Sequence, residues 1–327
     1  MHHVCLCLYI RRYGASLQYN RALQRNEKGQ FMKISSKDVI YAFSPDNKAA
    51  ATVTPGSELT FETFDCFCNQ LRSPEDKMEA LDWDRINPAT GPVFIEGAEP
   101  GDLLKVQIKS IELDEKGTVV AGEGMGVLAK ELQGVSTKIV KIDGDFASFT
   151  DKIKIPLKKM IGVIGVAPDG TSINTGTPGC HGGNMDNTMV TEGATVYLPV
   201  SAPGALLGLG DVHATMGDGE IGVSGLEIPA KVTVVVDLIK GKATKYPMLE
   251  NANTWSVIAS CENLDQAAEE ATIEMFGFLN ARMDLAPNEV TMLMSLAGNL
   301  EVCQVVDPLK TMRFVVDKSI VGELSTH

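Results

Sequence analysis

From Met32 to about residue 258 the apolar residues come in short runs of strand length, each cut off by Gly, Pro or Asp. Residues 103–112 read LLKVQIKSIE, 195–200 TVYLPV and 231–239 KVTVVVDLI. Such runs suit pleated, partly buried strands, and turn triplets such as Pro100-Gly101-Asp102 punctuate them. The pattern predicts a mainly β protein with a β-sandwich or jelly-roll-like core over residues 32–258. Beyond Glu262 the spacing changes. Ala268, Ala271, Met275, Phe278, Leu279 and Arg282 recur at three- and four-residue steps, which predicts an amphipathic helix over 264–283 with Asn263 or Asp265 as its cap. A second helix over 288–297 is expected after Pro287, then a strand over 300–306. Residues 259–327 are thus expected to form an added α/β portion packed on the β core.

At 327 residues the chain has length for about two domains. Its 44% hydrophobic and 22% charged residues are ordinary for a folded globular protein. No apolar run nears the roughly 20 residues of a membrane helix. The net charge of −13 repels phosphate backbones and anionic lipid, which argues against nucleic acid and membrane surfaces as partners. Seven cysteines show no CxxC zinc spacing; the close pairs Cys5/Cys7 and Cys66/Cys68 are both C-x-C. A reduced, cytoplasmic setting fits them better than a disulfide framework. Met1–Phe31 differs from the rest, carrying five basic residues and one acid against a net −17 over the remainder. Its apolar stretch at 4–10 precedes its charges, the reverse of a secretory signal. Residues 1–31 are therefore read as an extension outside the fold, either an artefact upstream of a start at Met32 or an Arg-rich targeting segment.

The chemistry concentrates in one segment. Between Met160 and Ala230 there is no Lys or Arg in 71 residues, yet there are seven acids: Asp169, Asp186, Glu192, Asp211, Asp218, Glu220 and Glu227. The two histidines away from the termini, His181 and His213, both fall here, and twelve of the 31 glycines lie between Asn174 and Glu227. Carboxylates gathered without basic partners need a cation, water or raised pKa values. Two histidines among them make a divalent metal the economical answer. In PGCHGGNMD (178–186), His181 precedes glycines that let backbone approach a small substrate, and Asn184 offers an amide donor to an oxyanion. In GDVHATMGDGE (210–220), Asp211 and His213 would share one face of an extended strand, and Gly217-Asp218-Gly219 would turn Glu220 back toward them. Taken singly these features are ordinary, since a lone Asp-x-His is more often surface decoration and a lone histidine a satisfied core residue. Their conjunction argues for a metal or catalytic site.

Other chemistries fare worse. There is no Walker A pattern and no G-x-S-x-G elbow, and GEGMG (122–126) lacks the full dinucleotide fingerprint. A Ser–Ser–Lys amide hydrolase needs a lysine near its loop, and this segment has none. Cys180 is the best thiol candidate, but its neighbour His181 would point away from it in extended chain.

Collinear stretches then carry a more specific signal. NPATGPVFIEGAEPGD (87–102), IGVIGVAP (161–168), PGCHGGNMD (178–186), YLPVSAPGAL (197–206) and GDVHATMGDGE (210–220) stand in the order of the acetamidase/formamidase family. From Met32 onward the chain resembles that family over nearly its whole length. The resemblance implies hydrolysis of short aliphatic amides such as formamide and acetamide to a carboxylate and ammonia. It also implies a cytoplasmic homo-oligomer, a dimer or higher, and a divalent metal, zinc first with calcium as the alternative. Asp65, in TFDC (63–66), matches an acidic position early in the family pattern and becomes a distant ligand candidate. Met216 stands where that pattern leads one to expect a glutamine, and Met1–Phe31 has no counterpart.

Metal-assisted amide hydrolysis is the expected mechanism, with Asp65, His181, Asp211 and His213 as ligands. Glu220, Asn184 and His181 are the catalytic candidates: Glu220 to carry the proton to the leaving ammonia, Asn184 to stabilise the oxyanion. Asp186 and Asp218 are expected to orient the histidines or to hold a second cation. Two alternatives stand beside this reading: a non-catalytic, metal-stabilised β-domain that binds a small ligand, and a hydrolase acting through Cys180.

Overall fold

The computed structural model describes residues 31–73, 75–322 and 324. All but the last residue of the 1–31 extension lies outside the described residues; Phe31 opens the first strand, Phe31–Ile34. A nine-stranded sheet runs in the order Phe31–Ile34, Glu58–Thr63, Ala230–Ile239, Leu103–Leu113, Thr195–Pro199, Met248–Glu250, Thr254–Cys261, Lys310–Asp317, Asn299–Gln304. It is antiparallel apart from its first pair. Packed against it is a second sheet, ordered Gly182–Asn184, Met160–Gly165, Leu207–His213, Ala89–Ile95, Val39–Ile40, with Ala51–Val53 beside Ala89–Ile95. A four-stranded sheet of Lys154–Pro156, Phe146–Ser148, Val135–Asp143 and Lys116–Gly122 adjoins it. The mainly β sandwich expected from the run lengths is the observed architecture.

The two large sheets differ in how their strands are buried. In Ala230–Ile239, Val232, Val234 and Val236 are fully buried while Lys231 and Asp237 are exposed, the alternation of a strand with one wet face. Those valines share one core with Val106 and Ile108 of the same sheet and with Ile161, Ile164, Leu209 and Val212 opposite. Met160–Gly165 and Leu207–His213 are buried at every position. These inner strands carry the polar motifs, so their polar side chains are sealed from water by the layers around them.

The C-terminal helices cover the far half of the nine-stranded sheet. The first, α1 (Leu264–Asn280), is capped by Asn263, whose side chain accepts from the Gln266 N–H. It turns Ala267, Ala271, Met275, Phe278 and Leu279 inward; Ala268, expected on that face, is only partly buried. The second, α2 (Pro287–Ala297), places Pro287 at its first position, where the missing N–H costs nothing. Both pack with Trp255, Val257, Phe314 and Val316, while Ile258 faces the main core. The expected boundary after residue 258 therefore falls inside the strand Thr254–Cys261, and the C-terminal portion shares the sheet rather than sitting beside it. No helix among the described residues is long and apolar enough to cross a membrane.

Candidate functional site

Met160–Gly165 and Leu207–His213 pair with Ile161 opposite Val212 and Val163 opposite Gly210. Between those pairs Asp211 leaves the ladder, with φ of +53°. The alternation expected for an extended Asp-x-His unit is thus not what brings the two side chains together. Asp211 turns in place, and its Oδ1 still lies 3.4 Å from His213 Nε2. Asp186 and Glu220 adopt the same left-handed backbone, at +43° and +49°. Three carboxylates in a conformation that disfavours side chains is local strain of the kind found at functional sites.

His213 is the hub. Its Nε2 lies 3.1 Å from Glu227 Oε2 and 3.9 Å from Asp186 Oδ1 as well as near Asp211, and all four side chains are buried. Donor atoms of Asp186, His213 and Glu220 lie within 4.8 Å of one another, and so do those of Cys66, Asp211 and Glu227. Glycines make the room. A Cβ at residue 162 would lie 2.5 Å from Asp186 Oδ1 and 2.6 Å from Asp211 Oδ2, and one at 225 would strike the His213 ring at 2.5 Å.

The hub's electrostatics follow from crowding in a dry interior. Burial, then the charge of Asp307, pushes Asp186 well above the usual carboxylate range, and burial with Asp186 does the same to Glu220. Burial raises Glu227 to about 7 against the pull of His213. Burial works against charged His213, but Glu227 and Asp211 hold its pKa well above the ordinary value. Burial likewise opposes ionised Asp211, and His213 outweighs it, drawing that carboxyl down. Even so, Asp186 Oδ1 and Oδ2, Asp211 Oδ1, Glu227 Oε2 and both His213 nitrogens have no hydrogen-bond partner. Buried polar atoms are rarely left so. A compact set of anionic oxygens and an imidazole fits a divalent cation.

Not every expected ligand joins the hub. Asp65 is buried, accepts from the Asn69 N–H at 2.6 Å and lies 3.7 Å from Arg72 Nη1. It belongs to neither compact donor group, although Asp211 is near enough to help raise its pKa, which burial brings to about 6. His181 also belongs to neither group. It sits at the tip of a tight turn closed by hydrogen bonds between Gly179 and Gly182, with its ring edge-on to Phe43 and both nitrogens unpartnered. Neighbouring Cys180 is exposed, and desolvation of its thiol raises the pKa, the opposite of an activated thiolate.

Burial pulls the His181 pKa from its ordinary 6.5 to about 4. Between those values the unfolded chain binds a proton that the folded chain refuses, so stability is fullest above pH 6.5 and falls as pH drops toward 4. The expected loss is about 3 kcal/mol. Urea unfolding of chelator-treated protein at pH 7.5 and 4.5 measures it, and His181→Gln should flatten that part of the slope. An unchanged slope would place the proton uptake elsewhere.

Asp218 is the clearest departure from expectation. Its carboxylate is paired to Arg313, with Nη2 donating to Oδ2 at 2.6 Å and Nη1 to Oδ1 at 3.2 Å, and it also accepts from Thr188. An arginine from a strand near the C-terminus supplies the cation that the local sequence lacks. Asp218→Asn should therefore leave metal content unchanged and lower stability by about 1 kcal/mol. Loss of bound metal in that variant would make Asp218 a ligand of the ion.

Asn184, expected as an oxyanion donor, already donates from Nδ2 to Asp307 Oδ2 at 3.1 Å, while its Oδ1 has no partner. Asp307 arrives on a loop organised by buried Gln304, whose Oε1 accepts from Val306 N–H and Asp307 N–H and whose Nε2 donates to the Leu309 carbonyl. Sequence reasoning missed Asp307, Cys66 and Glu227. Glu227 stood in the segment without basic residues and was visible only as one acid among seven. Asp307 had no local signal at all.

A model of the acetamidase/formamidase family matches residues 29–175 and 170–264. Among solved structures, a recombinant predicted acetamidase/formamidase from the thermophile Thermoanaerobacter tengcongensis superposes with a TM-score of 0.87 and 50% identity, covering 89% of this chain and 97% of that one. An acetamidase from Bacillus halodurans gives 0.86 and 43%, covering 88% and 97%. The acetamidase of Mycolicibacterium smegmatis is 29% identical over 63% of this chain and 67% of its own. The chain spans 64% to 67% of the length of the curated relatives it matches. With the family model covering most of the sequence and the fold agreeing at this level, the chain belongs to the acetamidase/formamidase family.

Proposed function

We propose that the protein hydrolyses primary carboxamides to a carboxylate and ammonia, using a divalent metal at the His213 hub. The observation that carries this reading is the set of buried, unpartnered donors on Asp186, Asp211, His213 and Glu227, in a member of a family named for amide hydrolysis. These four residues would hold the ion; one imidazole with carboxylate oxygens suits zinc, and a set so rich in oxygen also admits calcium. A cation bound there supplies Lewis acidity and lowers the pKa of water toward neutrality. Glu220, buried beside Asp186 and His213, is placed to carry a proton to the leaving nitrogen, and burial favours the protonated form of its carboxyl. Asp307 holds the Asn184 amide in one orientation, which leaves Asn184 Oδ1 as an acceptor for the substrate's NH₂ group.

Ammonia release from formamide and acetamide tests this on protein as purified, after chelation, and after reloading with zinc or calcium. Activity that vanishes on stripping and returns with one metal is the expected result. Metal that is bound and stabilises the fold without any turnover would favour a ligand-binding domain. Turnover indifferent to chelation but lost on thiol alkylation would favour Cys180.

A further inference from the structure

A cavity of about 610 Å³ opens between the four-stranded sheet and the loop that follows His213. Its walls are mainly apolar, with Val119, Val140, Ala147, Phe149, Met216 and Leu226 among them. Two further lining residues tie it to the hub. Glu220 has its carboxylate within 4.8 Å of donors on Asp186 and His213, and Gly225 lies against the His213 ring. The cavity thus abuts the place where an amide carbonyl would react. Formamide and acetamide would leave nearly all of it vacant, for a volume in this range suits a much larger ligand. Met216, standing where the resemblance leads one to expect a glutamine, makes that wall more apolar.

We propose that this cavity seats the acyl group of the substrate, so that the preferred substrates are primary amides with an apolar acyl group well beyond acetyl. The proposal rests on the amide-hydrolase reading above and names its substrate class. The carboxamide end faces Glu220 and the hub, and the chain runs along Val119 and Met216. Water adds to the carbonyl carbon, the C–N bond breaks, and the nitrogen leaves as ammonia with the proton delivered by Glu220. The new carboxylic acid returns a proton to Glu220 and remains as the carboxylate once its second proton passes to ammonia. No oxidant or further reactant is needed.

The experiment measures kcat/KM for acetamide, butyramide and hexanamide, together with calorimetric binding of hexanoate, which reads the cavity without turnover. The wild type is expected to gain about fourfold per added methylene, in line with the burial of apolar surface. Val119→Phe fills the cavity from a half-buried strand position and should bring the hexanamide-to-acetamide ratio near or below one. Met216→Gln should lower that ratio by several fold. Hexanoate should bind the wild type saturably and Val119→Phe weakly or not at all. Acetamide turnover with a flat or falling chain-length profile would overturn the acyl-cavity proposal and leave amide hydrolysis standing. No ammonia from any amide, with hexanoate still bound in a Val119-dependent way, would overturn hydrolysis and support the cavity's ligand class. Chain-length independence together with a change of oligomeric state in Val119→Phe would overturn the proposal and assign the groove to a second copy of this chain.

Discussion

Glu220→Gln is expected to lower ammonia release by about 10³-fold, the range for loss of a positioned proton carrier. The substitution preserves shape and removes only the ability to hold and release a proton. Glu220 is poised for that role by burial and by the neighbouring Asp186 carboxyl, which together raise its pKa above the ordinary range. Its backbone is held in the left-handed region by a turn in which the Glu220 N–H donates to the Gly217 carbonyl, and Gly219 N–H donates to Cys303 of a C-terminal strand. Metal content measured on the same sample separates two roles. Retained metal with lost turnover identifies the proton carrier. Metal lost along with turnover would make Glu220 a ligand of the same ion as Asp186 and His213.

Gly162→Ala should be nearly as damaging without touching any chemical group. The residue lies within a buried strand at an ordinary backbone angle, so alanine brings no conformational penalty of its own. The added methyl would instead sit 2.5 Å from Asp186 Oδ1 and 2.6 Å from Asp211 Oδ2 and force both carboxylates away. A shift of about 1 Å in the hub is expected to reduce kcat/KM by roughly 10²-fold and weaken metal binding. Overpacking lowers stability by about 1–3 kcal/mol as well. Gly208→Ala provides the control: its methyl would meet Phe43 and Ile40 side chains at 3.3 and 3.4 Å, away from the hub. If both variants lose activity equally, general strain in the sheet is the cause and the steric account of Gly162 fails.

Much of the fold was legible because burial in strands and helices leaves a local record. Val232, Val234 and Val236 alternate with the more exposed Lys231, Thr233, Val235 and Asp237 because one face of their strand is wet, and Ala271, Met275, Phe278 and Leu279 repeat at helical spacing because one face of α1 is dry. The domain boundary was less legible, since nothing local distinguishes a strand that ends a sheet from one that continues it across the helices, as Thr254–Cys261 does.

The site divides along the same line. The sequence alone determined that acids and both internal histidines crowd a glycine-rich segment without a basic residue, and this raised the expectation of a cation there. It could rank those acids only by neighbours along the chain. Tertiary structure decided which of them meet: it gave Asp218 to Arg313, brought Glu227 to His213, and carried Asp307 in from the C-terminal loop. It also joined Asp211 to His213 through a left-handed backbone that no alternation rule predicts. The reason is physical. Burial and charge compensation act on distances of a few ångströms in space, and a chain folded into stacked sheets sets those distances between residues far apart in sequence.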